Sequence, residues 1–142
     1  MSLKILGKAF SQTAKLLPYF EARLPAGFPS PADDFLEKQL DLHELLVKHP
    51  AATFFVRVEG DSMIGAGIHS GDILVVDRSL SPRIGKIIVA LLNGEFTVKR
   101  LKKEGKRLFL SPENPRYPAI EVEEEAEFQV WGVVTYVIHR SC

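Results

Sequence analysis

Acyl transfer needs a nucleophile and a base, and in this 142-residue chain a serine at position 62 and a lysine at position 99 are candidates for the two. Ser62 lies in Val58-Glu59-Gly60-Asp61-Ser62-Met63, where an apolar strand pattern runs into a Gly-Asp turn. Serine is a standard turn residue, and on its own Ser62 reads as one. A tight turn also exposes a hydroxyl and aims backbone N–H groups at one point, as an oxyanion hole requires. The usual base for a serine is histidine, but His43, His49, His69 and His139 sit in no recognisable motif. Their spacing matches no metal site either, so they read as surface or capping residues, and no metal is expected. The other base known for serine is a desolvated lysine, which brings Lys99 forward. In Glu95-Phe96-Thr97-Val98-Lys99-Arg100-Leu101, alternation puts Lys99 on a face with Thr97 and Leu101. Arg100 shares the opposite face with Phe96 and Val98. Both faces are mixed, so periodicity leaves open which of the two cations points inward. Without further information the default is a solvated lysine.

Six positive residues fall between Lys99 and Arg107, a pattern that can bind phosphate. With Phe109 alone as a stacking aromatic and the acidic run Glu121 to Glu127 to offset it, a solvated hairpin is the better reading.

The elements that would position these residues come mostly from the second half of the chain. Strands are expected at 53–59, 73–77, 86–92, 95–101, 107–110, 119–122 and 128–139, with turns at Gly60-Asp61, Gly71-Asp72, Ser81-Pro82, Asn93-Gly94 and Glu104-Gly105. Asn93-Gly94 between two apolar runs is the strongest hairpin signal. Many short strands without intervening helical patterns indicate a mostly β, antiparallel and partly closed domain. Ahead of it, Ser30-Pro31 with Asp33 predicts a short helix through Phe35, Leu36 and Leu40. Asp41-Leu42-His43-Glu44 predicts a second helix, stopped at His49-Pro50. Residues 1–24 show broken apolar spacing, and Leu24 to Pro31 carries three prolines and a glycine, which predicts an exposed, extended linker at the end of an N-terminal arm.

Composition is that of an ordinary soluble globular chain, with 46% apolar and 25% charged residues. The formal net charge is zero and so favours no nucleic-acid role. The first 27 residues hold Lys4, Lys8, Lys15 and Arg23 against Glu21, a net +3, which leaves −3 on the remainder and suits an arm resting on its own domain. The single cysteine, Cys142, excludes an internal disulfide and reads as a free thiol in a reducing compartment. No apolar run reaches the roughly 20 residues of a membrane helix, and no signal-peptide core is visible. A cytoplasmic protein without membrane contact is expected.

Taken together, Ala26-Gly27-Phe28-Pro29-Ser30-Pro31, the block from Asp41-Leu42 to His49-Pro50, Gly60-Asp61-Ser62-Met63, Gly71-Asp72, Gly94 to Leu101, Asn114 to Tyr117 and Trp131-Gly132-Val133-Val134 resemble the LexA/UmuD-type self-cleaving serine proteases, peptidase family S24. The resemblance runs from about Ala26 to His139. It implies a LexA-like C-terminal fold over residues 28–142 and an arm, residues 1–27, removed by self-cleavage between Ala26 and Gly27. It implies Ser62 as nucleophile, Lys99 as general base, and an oxyanion hole from the N–H groups near Asp61 and Ser62. It further implies no cofactor, a homodimer, activation by the RecA–single-stranded-DNA filament in the SOS response, and a product that serves a Y-family (UmuC-like) translesion polymerase subunit. Twenty-six residues cannot hold a helix-turn-helix domain, so direct sequence-specific DNA binding is not expected. The alternative is a non-catalytic or phage-type regulatory interaction module with the same fold. For the chemistry, Lys99 must lose its proton, so an ordinary value of about 10.4 must fall toward about 7–8, which burial can achieve.

Overall fold

The computed structural model describes residues 2–9, 16–20, 26–27 and 37–142. The chain divides into two compact units, Met1–Phe10 with His49–Cys142, and Ser11–Lys48.

In the larger unit, strands β1 (Ser2–Lys8), β4 (Thr53–Glu59), β5 (Ile73–Asp77), β6 (Ile87–Leu92), β7 (Glu95–Glu104), β8 (Arg107–Ser111), β9 (Ile120–Val122) and β10 (Phe128–Ile138) form one curled antiparallel sheet in the order β1-β4-β5-β10-β6-β7-β8-β9. The expected strands fall within a few residues of these bounds. Asn93 and Gly94 both take positive φ (49° and 82°), the conformation of a tight two-residue hairpin turn, and they bring Leu92 opposite Glu95. β10 serves two neighbours: its first half pairs with β6 and its second with β5, with a register irregularity in each. Between the halves, Gly132 passes so close to β5 that an added Cβ would lie 2.5 Å from Val76 Cγ1.

Both faces of the sheet are covered. Val56, Val58, Leu74, Val76, Val89 and Val98 form one apolar cluster with Met63, Ile68 and Trp131. Ile88, Ala90, Leu101, Leu110 and Val133 form a second. Because Ile88 opposes Lys99 and Ala90 opposes Thr97, Lys99 points to the same side as the second cluster. This two-sided cover is why neighbouring positions of β7, Val98 and Lys99, are both buried, which alternation alone does not reveal.

One expectation is corrected and one gains detail. Residues 2–8, within the N-terminal arm that charge suggested would rest on its own domain, form edge strand β1, antiparallel to β4, with Leu3 opposite Val58 and Ile5 opposite Val56. Gly7 and the flanking lysines hide this strand because a register irregularity falls between Ile5 and Gly7, and an edge strand keeps its polar side chains in water. In the smaller unit, β2 (Leu16–Phe20) pairs with β3 (Glu37–Asp41), so the end of the first expected helix is a strand. The rest of that helix, 30–36, lies outside the described residues. The second expected helix is present as α1 (Leu42–Leu46), capped by the Asp41 carboxylate, which accepts from the N–H groups of His43 (3.0 Å) and Glu44 (3.3 Å). Of the expected extended linker, Ala26 and Gly27 are described, exposed and in a bend. No helix among the described residues is long and apolar enough to cross a membrane.

Candidate active site

Strand β4 ends at Glu59, and Gly60, at φ 106°, turns the chain so that its N–H donates to Ser70 Oγ (3.1 Å). The next residues are held by the loop that follows β8. The Asp61 carbonyl accepts from Asn114 Nδ2 (2.9 Å), and the Asp61 carboxylate accepts from the Tyr117 hydroxyl (2.5 Å). The Ser62 carbonyl accepts from the Glu113 N–H (2.8 Å), and the Glu113 carbonyl accepts from the Gly65 N–H (2.7 Å). Gly65 has no room for a side chain, since a Cβ there would lie 2.6 Å from the Glu113 oxygen. Met63 anchors the turn from beneath, fully buried in the first apolar cluster. The Ser62 hydroxyl is thus fixed by its own backbone, and the residue is 2% exposed.

Opposite it stands Lys99, whose Nζ lies 3.1 Å from Ser62 Oγ, 2.8 Å from Thr97 Oγ1 and 3.1 Å from the Val98 carbonyl oxygen. No carboxylate bonds to this nitrogen among the described residues. Burial among Ile88, Ala90 and Leu101 therefore acts unopposed and holds the Lys99 ammonium below its ordinary value of about 10.5. A neutral amine has two N–H donors and one lone pair, which matches the surroundings: two acceptors, Thr97 Oγ1 and the Val98 carbonyl, and one hydroxyl able to donate, Ser62. In that state the amine lone pair faces the serine proton, the arrangement of a general base.

The pair opens onto a cleft of about 280 Å³ lined by Leu92, Glu95, Phe96, Tyr117, Pro118 and Ile120 together with Ser62, Thr97 and Lys99. Its walls are chiefly apolar, suited to an extended chain with small or apolar side chains. The N–H groups of Asp61, Ser62 and Met63 make no backbone hydrogen bond among the described residues. Tyr117, exposed at the rim, has its phenol raised above the usual value by the hydrogen bond to Asp61 and by that carboxylate's charge.

Arg100, the other cation that periodicity left open, turns to the opposite side of β7. Its guanidinium donates to Glu113 Oε1 (2.6 Å) and to the Gly85 carbonyl (2.6 Å). It therefore braces the loop that holds Ser62. Sequence reasoning assigned no role to Thr97, Glu113 or Asn114, although alternation placed Thr97 beside Lys99 and Asn114 opens the block Asn114 to Tyr117. No histidine lines the cleft among the described residues: His49 pairs with Asp77 (2.6 Å), and His69 and His139 meet at Asp72. Ala26 and Gly27 belong to the smaller compact unit.

A curled antiparallel sheet presenting a buried serine and lysine defines a class, and the chain matches the model of the peptidase S24-like family over residues 18–135. It belongs to that family. Its relatives are of the UmuD-like kind. It is 52% identical over 124 residues to Protein SamA of Salmonella typhimurium, covering 87% of this chain and 86% of that one. It is 43% identical to Protein MucA of Escherichia coli across 100% of this chain and 99% of the relative. It is 44% identical over 115 residues to the LexA repressor of Acidithiobacillus ferrooxidans, covering 79% of this chain and 56% of the repressor.

Proposed function

We propose that this protein is a self-cleaving serine endopeptidase of the SOS response, in which Ser62 attacks the Ala26–Gly27 peptide bond with Lys99 as general base. The observation that carries this reading is the 3.1 Å approach of Lys99 Nζ to Ser62 Oγ at a site where burial lowers the lysine and no described carboxylate restores its charge. Neutral Lys99 takes the hydroxyl proton as Ser62 Oγ bonds to the Ala26 carbonyl carbon. The N–H groups of Asp61 and Ser62 receive the oxyanion. The protonated lysine then returns its proton to the Gly27 nitrogen as the C–N bond breaks, leaving an acyl-enzyme that water hydrolyses. Ala26 offers a methyl group to the apolar cleft, and Gly27 lets the backbone approach the serine without a side chain in the way. Both residues are exposed, as a scissile pair must be.

The finer reading follows the family resemblance and the relatives at 43–52% identity. The chain acts as a homodimer in the cytoplasm, cleavage is promoted by the RecA–single-stranded-DNA filament, and the fragment starting at Gly27 is the accessory subunit of a Y-family translesion polymerase. The cut separates residues 1–26, β1 among them, from the rest of the larger unit. Intact-mass analysis after incubation with RecA, an ATP analogue and single-stranded DNA tests the central claim. The expected product begins at Gly27. An unchanged mass in the wild type, or equal conversion in Ser62→Ala, rejects it.

A further inference from the structure

On the sequence, His139 stands too far from His69 and Asp72 for the three to read as a ligand set, but the fold brings them together. The backbone pairing of Ile138 with Ile73 places His139 next to Asp72, and the turn before β5, closed by the Asp72 N–H donating to the His69 carbonyl (3.0 Å), brings in His69. The Asp72 carboxylate is 3% exposed and both rings converge on it. His139 Nδ1 lies 2.6 Å from Asp72 Oδ1. His69 Nδ1 lies 3.8 Å from Oδ2, while that same oxygen accepts the His69 N–H at 2.8 Å. The two imidazoles face each other with centroids 4.8 Å apart. His69 Nδ1 is shielded from solvent and has no hydrogen-bond partner among the described residues. A buried nitrogen without a partner is costly, and this one lies beside a carboxylate and a second imidazole.

We propose that His69, Asp72 and His139 form a binding site for a divalent transition-metal ion, with Zn²⁺ the first choice. The three ligand atoms lie within 4.8 Å of one another, the one such group of His, Cys, Asp or Glu among the described residues. Tetrahedral Zn²⁺ with legs of about 2.0–2.2 Å needs ligand atoms about 3.3–3.6 Å apart, so the set, which spans up to 4.8 Å, has to close by about 1.2–1.5 Å at its widest, and the 2.6 Å contact of His139 with Asp72 has to open. The rings can supply that movement, since the two histidine side chains are 44% and 50% exposed while Asp72 is held by the His69 N–H. Two imidazoles and one carboxylate suit Zn²⁺, Co²⁺, Ni²⁺ or Cu²⁺ and not Mg²⁺ or Ca²⁺, which take all-oxygen shells. Three protein ligands leave a fourth position to water. The ion would cross-link the turn before β5 to the end of β10. That turn also bonds β4, through Gly71 N–H to the Val58 carbonyl (2.7 Å) and Val58 N–H to the Asp72 carbonyl (3.0 Å).

The test is a titration of the tag-free full chain with Zn²⁺ against a chromophoric chelator, with Mg²⁺ in a parallel arm. One saturable Zn²⁺ site per chain is expected, with no response to Mg²⁺. His69→Gln and His139→Gln should each weaken Zn²⁺ binding by at least the roughly 10–100-fold that loss of an outer-shell partner costs. His49→Gln, whose ring belongs to the separate pair with Asp77, and Cys142→Ser, whose thiol is outside the cluster, should bind as the wild type does. The substituted rings are half exposed, and circular dichroism confirms that the variants fold. Absence of a saturable site in the wild type overturns the proposal, as does wild-type binding by both His69→Gln and His139→Gln or loss of binding in Cys142→Ser.

Discussion

Arg100 Nε and Glu113 Oε1 are 2.6 Å apart, and this pair ties the strand that carries Lys99 to the loop whose backbone holds the Ser62 carbonyl. Base and nucleophile reach each other across two elements, so their separation depends on what fastens one element to the other. The pair is about 30% exposed on both sides, and its contribution to overall stability is small, about 1 kcal/mol at most. Its effect on geometry is larger than its effect on stability. Arg100→Ala should slow self-cleavage by about tenfold to a hundredfold, the scale of a misplaced reacting group, with little loss of melting temperature. Because Lys99 keeps its own surroundings, the pH at which the rate rises should stay where it is. A shifted profile would mean that Arg100 acts on the lysine directly.

Lys99 also makes a stability prediction. Its folded-state value is lowered by burial, so between that value and the unfolded value of about 10.5 the unfolded chain binds more protons at this residue. Stability contributed by this group therefore rises with pH across that window and is lost as pH falls through the folded value. Lys99→Met, similar in shape and without charge, should be more stable than wild type at neutral pH and inactive. The gap should narrow as pH approaches about 10.5. Thermal melts at several pH values decide this. A Lys99→Met variant less stable than wild type at pH 7 would show that the ammonium is well accommodated there.

How much of this was legible before the fold was known differs by residue. The strands from β4 onward follow from apolar runs bounded by Gly, Pro and Asn turns, and Asn93-Gly94 marks its hairpin because only certain residues accept positive φ at both turn positions. Turn context and residue type raise Ser62 and Lys99 as candidates and the resemblance gives them roles; in β7 the residue pattern alone does not choose between Lys99 and Arg100, since a sheet covered on both faces buries neighbouring residues. Leu36 and Leu40 are spaced for a helix turn but equally for alternate strand positions. A short helix without partners is marginal, and pairing of Leu40 opposite Leu17 in β2 makes this end a strand. The Asp72 cluster was hidden because His139 joins His69 and Asp72 only through the β5–β10 pairing.

The rate of spontaneous cleavage should increase as pH rises from neutral and level off below the ordinary lysine value, because the buried amine loses its proton earlier than a free one. A histidine base would level off near pH 7. Ser62→Ala and Lys99→Ala should each abolish conversion, and the double variant should be no worse than either, since the two act as a unit. Mass spectrometry over a pH series measures all four proteins. A profile flat above pH 7.5 would remove lysine as the base.

Cleavage between Ala26 and Gly27 should change the edge of the sheet, because β1 lies on the N-terminal side of the cut. While the chain is intact, β1 covers one side of β4 from Glu59 to Phe54, and Leu3 packs against the cluster that contains Val56 and Val58. After the cut β1 is held by its pairing with β4 and the packing of Leu3 alone, without a covalent link, and the loss of that tether lowers the local concentration that kept it docked. Its departure leaves β4 with unpaired N–H and C=O groups, a template for strand addition by another chain. Amide hydrogen exchange should therefore speed up in β4 after cleavage, while β6 and β7, interior to the sheet, stay protected. Gly27→Glu, which places a bulky charge at the scissile bond, should fold normally, resist cleavage and retain the slow exchange of β4. A chain beginning at Gly27 should show the fast pattern from the start and should differ from Gly27→Glu in binding the polymerase subunit. Equal β4 exchange in the uncleavable and pre-cut chains would show that β1 does not act as the cover. Equal polymerase binding by the two would defeat the switch while leaving the protease chemistry intact.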